Sequence, residues 1–253
     1  MATDGGSGGE EPAELADPVV SLRMANGSEV HPAASGCAGT PGGRGRPWRG
    51  TRSARGQARY PGYYWSSTTS SRVIYESRLE LARLLIADFD LAVVAIAAQP
   101  FWLRARADGR VRRHVPDFFL LRADQSAVVI NVKPAAQLAD PEVTAALDWP
   151  GRLVRDHGWD YEIWTGADPV YLANLRFLAG YRRPWLVAAG LADAVLAAFR
   201  PGDTLAVLAS RAGRGHPPAG ARAAVLRLVW EQRLLTGLHR RLDGDSVLEA
   251  PGG

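Results

Sequence analysis

Two strand-like runs, Asp117–Arg122 and Ala127–Lys133, are joined by the short turn-forming stretch Ala123-Asp124-Gln125-Ser126. That pattern predicts an antiparallel hairpin, and a hairpin dictates which distant residues meet. With the turn centred on Asp124-Gln125, residue 117 falls opposite about residue 132, so Asp117 lies beside Asn131 and Lys133. Side chains alternate along a strand, so Asn131 and Lys133 share one face and Val132 points the other way, into the core. A carboxylate, an amide and an ammonium therefore converge. Lys133 is also the lone lysine among 30 Lys and Arg residues. A chain that uses arginine everywhere else for charge has kept lysine at this one position.

The rest of the central region reads as an α/β core, with a mixed sheet flanked by helices. A helix is expected from Ser77 to Asp88, and strands at Asp90–Ala97 and Phe101–Arg106, with Asp108-Gly109 as a hairpin turn. A helix from about Pro141 to His157 and a short strand Tyr161–Trp164 follow. Past residue 168, helices are expected at Trp185–Phe199, Thr204–Arg211 and Ala219–Leu235. Strands at Thr236–Arg241 and Ser246–Glu249 around Asp243-Gly244 would complete a small winged-helix domain. Residues 1–60 are rich in Gly, Ala, Ser, Pro and Arg without sustained periodicity and read as a disordered leader. The expected divisions are thus 1–60, 61–168 and 169–253.

Composition narrows the function. The single cysteine, Cys37, excludes an intramolecular disulfide framework and argues against a thiolate metal cluster. No apolar run reaches the roughly 18–20 residues of a membrane span, and no signal-peptide pattern opens the chain. A cytoplasmic protein without a membrane partner is expected. Charge is uneven: residues 1–30 hold six acids and one arginine, whereas residues 31–60 hold six arginines and no acid. Residues 169–253 hold 11 arginines against six acids. Basic flanks around a mildly acidic centre suit an enzyme that binds metal at its centre and DNA around it. The arm Gly42-Gly43-Arg44-Gly45-Arg46-Pro47-Trp48-Arg49 either touches nucleic acid or is idle.

Phosphodiester hydrolysis needs the residue types that the hairpin gathers. Carboxylates hold Mg²⁺, a hard cation that prefers oxygen. A lysine can orient the attacking water or stabilise charge on the phosphate, and arginine, planar and permanently charged, is a poor substitute. A further carboxylate is expected from the preceding helix. Glu76 and Glu80 stand at i and i+4 on one face, and Glu80 is preferred. Ser77-Arg78-Leu79-Glu80 also matches a capping box, in which Glu80 would reach back to the N-cap amide. Gln99, before Pro100, braces the site, meets DNA or forms a turn. His114 is a strand histidine or a proton shuttle. On the third C-terminal helix and the wing, Arg222, Arg227, Arg233, Arg240 and Arg241 are candidate contacts to DNA phosphates or a protein partner. The helix itself is too apolar for a fully exposed reading helix.

Four blocks in order resemble TnsA-like endonuclease subunits of heteromeric transposases, within the PD-(D/E)xK nuclease superfamily. They are Tyr75-Glu76-Ser77-Arg78-Leu79-Glu80, Ala98-Gln99-Pro100-Phe101, Arg113-His114-Val115-Pro116-Asp117-Phe118 and Asn131-Val132-Lys133-Pro134, spread over about residues 63–180. The resemblance implies a restriction-endonuclease-like fold and Mg²⁺-dependent cleavage, with Mn²⁺ able to substitute, of the 5′ strands at transposon ends. It implies a DDE-type transposase partner and an AAA+ ATPase regulator. On this pattern Glu80 and Asp117 carry over as metal ligands, the Val132 backbone carbonyl as a further ligand, and Lys133 as the catalytic lysine. Asn131 stands where the wider motif has an acid, which removes one negative charge from the site. In TnsA-like proteins the C-terminal region is associated with the ATPase, so a docking module is favoured over base readout. The alternatives are a stand-alone restriction- or repair-type nuclease of the same fold and a catalytically silent adaptor that binds DNA or the ATPase.

Overall fold

A computed structural model describes residues 15–23, 29–30, 60–107, 109–213 and 218–252. Its centre is a mixed four-stranded sheet. In that sheet β5 (Val93–Ala98), β8 (Phe118–Arg122) and β9 (Ala127–Val132) run antiparallel, and β10 (Asp160–Trp164) lies parallel to β9. The run Val128-Val129-Ile130 is apolar on both faces because both are covered. Phe118, Leu120, Val128, Ile130 and Val132 face one core, which α1 (Arg78–Phe89) covers. Phe119, Ala127 and Val129 face a second core, which holds Phe101 and Leu103 of β6 (Phe101–Ala107) and Trp149 and Leu153 of α2 (Pro141–Asp156).

β6 belongs to a second sheet of order β2-β1-β6-β7, with β1 at Ala16–Arg23, β2 at Glu29–Val30 and β7 at Arg110–His114. This corrects the expectation of a disordered leader for residues 16–23 and 29–30. Val19 and Val20 pair with Arg104 and Leu103, and Val20 is buried in the second core. An edge strand with open hydrogen-bonding groups orders a segment that has little periodicity of its own. The rest of the leader, including Cys37 and the arm at 42–49, lies outside the described residues. So does Asp108 of the expected turn, although Gly109, at φ +70°, supplies the left-handed residue that the β6–β7 hairpin requires.

Two boundaries near the site move. The strand expected from Asp90 begins at Val93, because Asp90 closes the preceding helix through its amide to Ile86 and accepts from the Ala92 amide on its side chain. The central hairpin pairs Phe118 with Ile130 and Leu121 with Ala127, one residue off the expected register. Its loop has three residues, with the Gln125 amide bonded to the Arg122 carbonyl and Gln125 itself at φ +69°. A three-residue loop with a left-handed last residue pairs the strands differently from a two-residue turn.

The C-terminal part is helical: α3 (Pro169–Leu178), α4 (Leu191–Ala198), α5 (Leu205–Ala212) and α6 (Pro218–Trp230). α3 was not anticipated, although Asp168 caps it through the Tyr171 amide. The helix expected at Trp185–Phe199 is a short 3-10 turn, Pro184–Leu186, followed by α4, because Gly190 at φ +76° interrupts it. α6 stops at Trp230 rather than Leu235, with Gln232 at φ +54°.

The expected strand Thr236–Arg241 does not form. Asn174 of α3 donates to the carbonyls of Leu238 (2.8 Å) and Arg240 (2.6 Å) and accepts from the Leu242 amide (3.1 Å). It thereby takes backbone groups that a ladder would need. Single bridges remain, Leu235 to Glu249 and Thr204 to Val247. One buried cluster runs without a break from Leu84, Val93 and Ile130 to Leu205, Leu226 and Leu248.

Candidate active site

α1 begins where the sequence places it. Ser77 accepts from the Glu80 amide (3.0 Å), and Glu80 reaches back through Oε2 to a backbone amide. The amide is that of Glu76 (2.7 Å), one residue before the cap. The capping contact engages the Oε2 oxygen of the carboxylate. Burial pushes this carboxyl above the ordinary range. The Glu76 amide opposes the shift, and the charge of Asp117 raises it further. Glu80 and Asp117 thus sit close enough to repel, an arrangement that a cation between them would relieve.

Asp117 stands where the β8–β9 ladder ends. Its amide donates to the Ile130 carbonyl (3.0 Å), and its carboxylate accepts from the Val132 amide (2.7 Å). The hairpin thus brings Asp117 onto the stretch between Asn131 and Lys133, as the spacing requires. The Val132 side chain is buried in the α1-side core and its peptide adjoins Asp117. The Lys133 amide continues the sheet by donating to the Trp164 carbonyl (2.9 Å). Its side chain is half-buried, and among the described residues it makes no ion pair or hydrogen bond. An ammonium without such a bond is available to a phosphate or a water.

Gln99 lies in the turn before Pro100. It holds φ +47°, a strained value for a residue with a side chain. Its amide donates to the Asp117 carbonyl (2.9 Å), and Nε2 donates to Glu76 Oε1 (3.0 Å). The turn before Pro100 therefore braces both the Asp117 strand and the start of α1. Glu76 acts as the partner of Gln99 and as the amide donor to Glu80.

Asn131 is 1% exposed and bonded at both ends. Its Oδ1 meets His114 Nε2 at 2.7 Å, and its Nδ2 donates to the Tyr161 hydroxyl at 2.7 Å. Tyr161 was not foreseen. It lies 30 residues from Asn131, and only the parallel pairing of β10 with β9 brings the two together. Arg83 and Glu162 were missed as well. Arg83 donates to both Glu162 oxygens, at 3.1 and 2.9 Å, tying α1 to β10 one turn after Glu80.

Glu80 and Asp117 bring two carboxylates near each other, and carboxylate oxygen is what a hard divalent cation takes. Among the described residues no group of three or more His, Cys, Asp or Glu side chains is placed to hold a metal.

The C-terminal arginines divide into two sets. Arg227 bonds Glu231 (2.6 Å) and the Pro184 carbonyl (2.8 Å), and Arg233 pairs with Asp193 (3.3 Å). Arg222, Arg240 and Arg241 are exposed, without an ion pair among the described residues. On α6, Ala221, Ala224, Val225, Leu226, Leu228, Val229 and Trp230 are all buried. It is a core helix and does not offer a continuous face to a DNA groove.

Among the described residues no helix is long and apolar enough to cross a membrane. No curated protein matches the chain. The family model described as TnsA-like endonuclease N terminal matches residues 90–166. The matched span holds Gln99, His114, Asp117, Asn131 and Lys133 and begins just after α1, which carries Glu80. Over residues 90–166, this chain is therefore similar to the N-terminal domain of TnsA-like endonucleases.

Proposed function

We propose that the protein is the Mg²⁺-dependent endonuclease subunit of a heteromeric transposase and hydrolyses the 5′ strands at transposon ends. The observation that supports this reading is the approach of Glu80 to Asp117 beside the end of β9, which Lys133 directly follows, with Asp117 and Lys133 inside the segment that matches TnsA-like endonucleases and Glu80 just before it.

In this reading Glu80, Asp117 and the Val132 carbonyl hold the cation. The cation, when bound, lowers the pKa of a coordinated water and offsets charge on the phosphate. Asp117 keeps its carboxylate in place through the Val132 amide. Glu80 is anchored by the Glu76 amide and is carried by a helix that Arg83 and Glu162 tie to the sheet. Lys133 places its ammonium against the scissile phosphate or the attacking water, where a compact charge with three donors fits. Gln99 and Glu76 support the two ligand-bearing segments from behind.

The C-terminal helices form a partner-docking module in the same reading. α6 is sequestered, and Arg222, Arg240 and Arg241 remain exposed for an acidic surface or DNA backbone. The bridges Thr204–Val247 and Leu235–Glu249 fall before α5, after α6 and at the chain's end, the order of a reduced winged helix. An AAA+ ATPase is the assigned partner of this module, and a DDE-type transposase cuts the opposite strands.

The amide at position 131, with both ends engaged, favours a second reading, a silent adaptor that kept the fold. The readings separate on end-labelled transposon-end duplex incubated with Mg²⁺ and the transposase and ATPase partners. Nicks confined to the 5′ strand with wild type and absent with Asp117→Ala support the nuclease. An uncut 5′ strand in the complete mixture supports the adaptor.

A further inference from the structure

We propose that Asn131 is a positioning residue and not a metal ligand, held by a one-way hydrogen-bond chain that runs from His114 through Tyr161 to the Leu147 carbonyl. The chain has three links: His114 Nε2 to Asn131 Oδ1 at 2.7 Å, Asn131 Nδ2 to the Tyr161 hydroxyl at 2.7 Å, and that hydroxyl to the Leu147 carbonyl at 3.1 Å.

The last link sets the direction of the others. A carbonyl only accepts, so Tyr161 spends its single proton on Leu147. The hydroxyl must then accept from position 131, which requires an N–H donor there. The amide's nitrogen faces Tyr161, its oxygen faces His114, and His114 Nε2 therefore carries a proton. An aspartate at 131 has no donor. Tyr161 would have to give its proton to that carboxylate and leave Leu147, or keep Leu147 and face the carboxylate lone pair to lone pair. The chain accounts for asparagine in a slot where the wider motif has an acid.

The surroundings are shaped for this chain. Gly151 leaves room for the Tyr161 ring, because a Cβ there would fall 2.8 Å from two ring carbons. The chain joins β7, β9, β10 and α2 at one buried point. Asn131 directly precedes Val132, whose amide holds Asp117, so a shift at 131 moves the Asp117 contact and Lys133 together. Tyr161 thus acts on the reacting centre through Asn131.

The catalytic consequence rests on the nuclease reading above, whereas the chain itself does not. The test uses the full chain and four variants: Tyr161→Phe, Asn131→Ala, their double variant and Asn131→Asp. Thermal unfolding and the Mg²⁺ dependence of supercoiled-plasmid nicking are both measured. Each of the first two single variants should lower Tm by about 2–6 °C. The double variant should lose little more than the larger single loss, because the two groups share a chain. Nicking should slow at least about tenfold in Tyr161→Phe and Asn131→Asp, with the half-saturating Mg²⁺ concentration unchanged, since small displacements at a reacting centre are costly. Additive Tm losses overturn the chain. An Asn131→Asp protein that nicks as fast as wild type at lower Mg²⁺ overturns the positioning role, because position 131 then faces the cation. If Asn131→Asp does not fold, Tyr161→Phe decides alone, and wild-type Tm and nicking in it overturn the proposal. If wild type itself never nicks even with the transposase and ATPase partners added, the nuclease reading fails, and the Tm comparison still decides the chain.

Discussion

At the residue scale the site divides by what each side chain already holds. Glu80 accepts the Glu76 amide, Asp117 accepts the Val132 amide, and Lys133 has no such bond among the described residues. Glu80→Gln keeps an oxygen for the Glu76 amide and removes a charge that burial and Asp117 disfavour. At neutral pH without metal, this variant should match or exceed wild type in Tm by differential scanning fluorimetry while losing Mg²⁺-dependent nicking. A large fall in Tm would mean that the charge itself holds α1. The lone lysine, Asp117 and Glu80 were legible in the sequence because short-range rules decide them: strand alternation, turn length and helix capping. Tyr161 was not, because a tyrosine in a short strand has no partner until the parallel pairing of β10 with β9 is known. The pairing of Arg83 with Glu162, 79 residues apart, was hidden for the same reason.

At the element scale, polar anchors decide where strands and helices begin and end. The central hairpin was readable from its apolar runs, yet its register slipped by one because Gln125 adopts a left-handed conformation that no glycine announced. The expected wing failed because Asn174 captured its backbone. Gly151→Ala on α2 should drive a methyl group into the Tyr161 ring and cost about 1–3 kcal/mol in chemical denaturation. An unchanged midpoint would show that the ring gives way freely.

Asp203, buried before α5, is bound at both oxygens by Arg211 and accepts the Arg200 amide (2.8 Å). The Arg211 guanidinium holds its carboxyl below the ordinary range. A carboxyl lowered on folding adds stability above its unfolded value and loses it as pH falls through the lowered one. Wild type should therefore exceed Asp203→Asn in Tm at neutral pH, and the gap should close only on acidification below the usual carboxylate range. A gap independent of pH would contradict the pairing.

At the scale of the whole molecule, one buried cluster joins the hairpin that carries Asp117 to the C-terminal helices. The Trp230 indole donates to Ser67 (3.1 Å), and Gln232 donates to the Phe89 carbonyl (2.5 Å), so α6 ends against the turn of the β3–β4 hairpin (Gly62–Ser66 and Ser71–Tyr75) and the end of α1. Removing residues 169–253 strips apolar cover from α1, and the remainder should show no cooperative unfolding by circular dichroism. A sharp transition would mean that the first part stands alone.

The central claim is that Glu80, Asp117 and Lys133 form a hydrolytic site, and the most direct measurement is plasmid nicking in Mg²⁺ and Mn²⁺, with partners present, by wild type and Lys133→Arg. Lys133→Arg keeps the charge at a half-exposed position whose side chain makes no ion pair or hydrogen bond among the described residues, so its Tm should stay at the wild-type value. Its nicking should fall by about a hundredfold or more, because a broad planar guanidinium replaces a compact ammonium at the reacting centre. Equal nicking by the two proteins would contradict the account and place the reacting centre elsewhere.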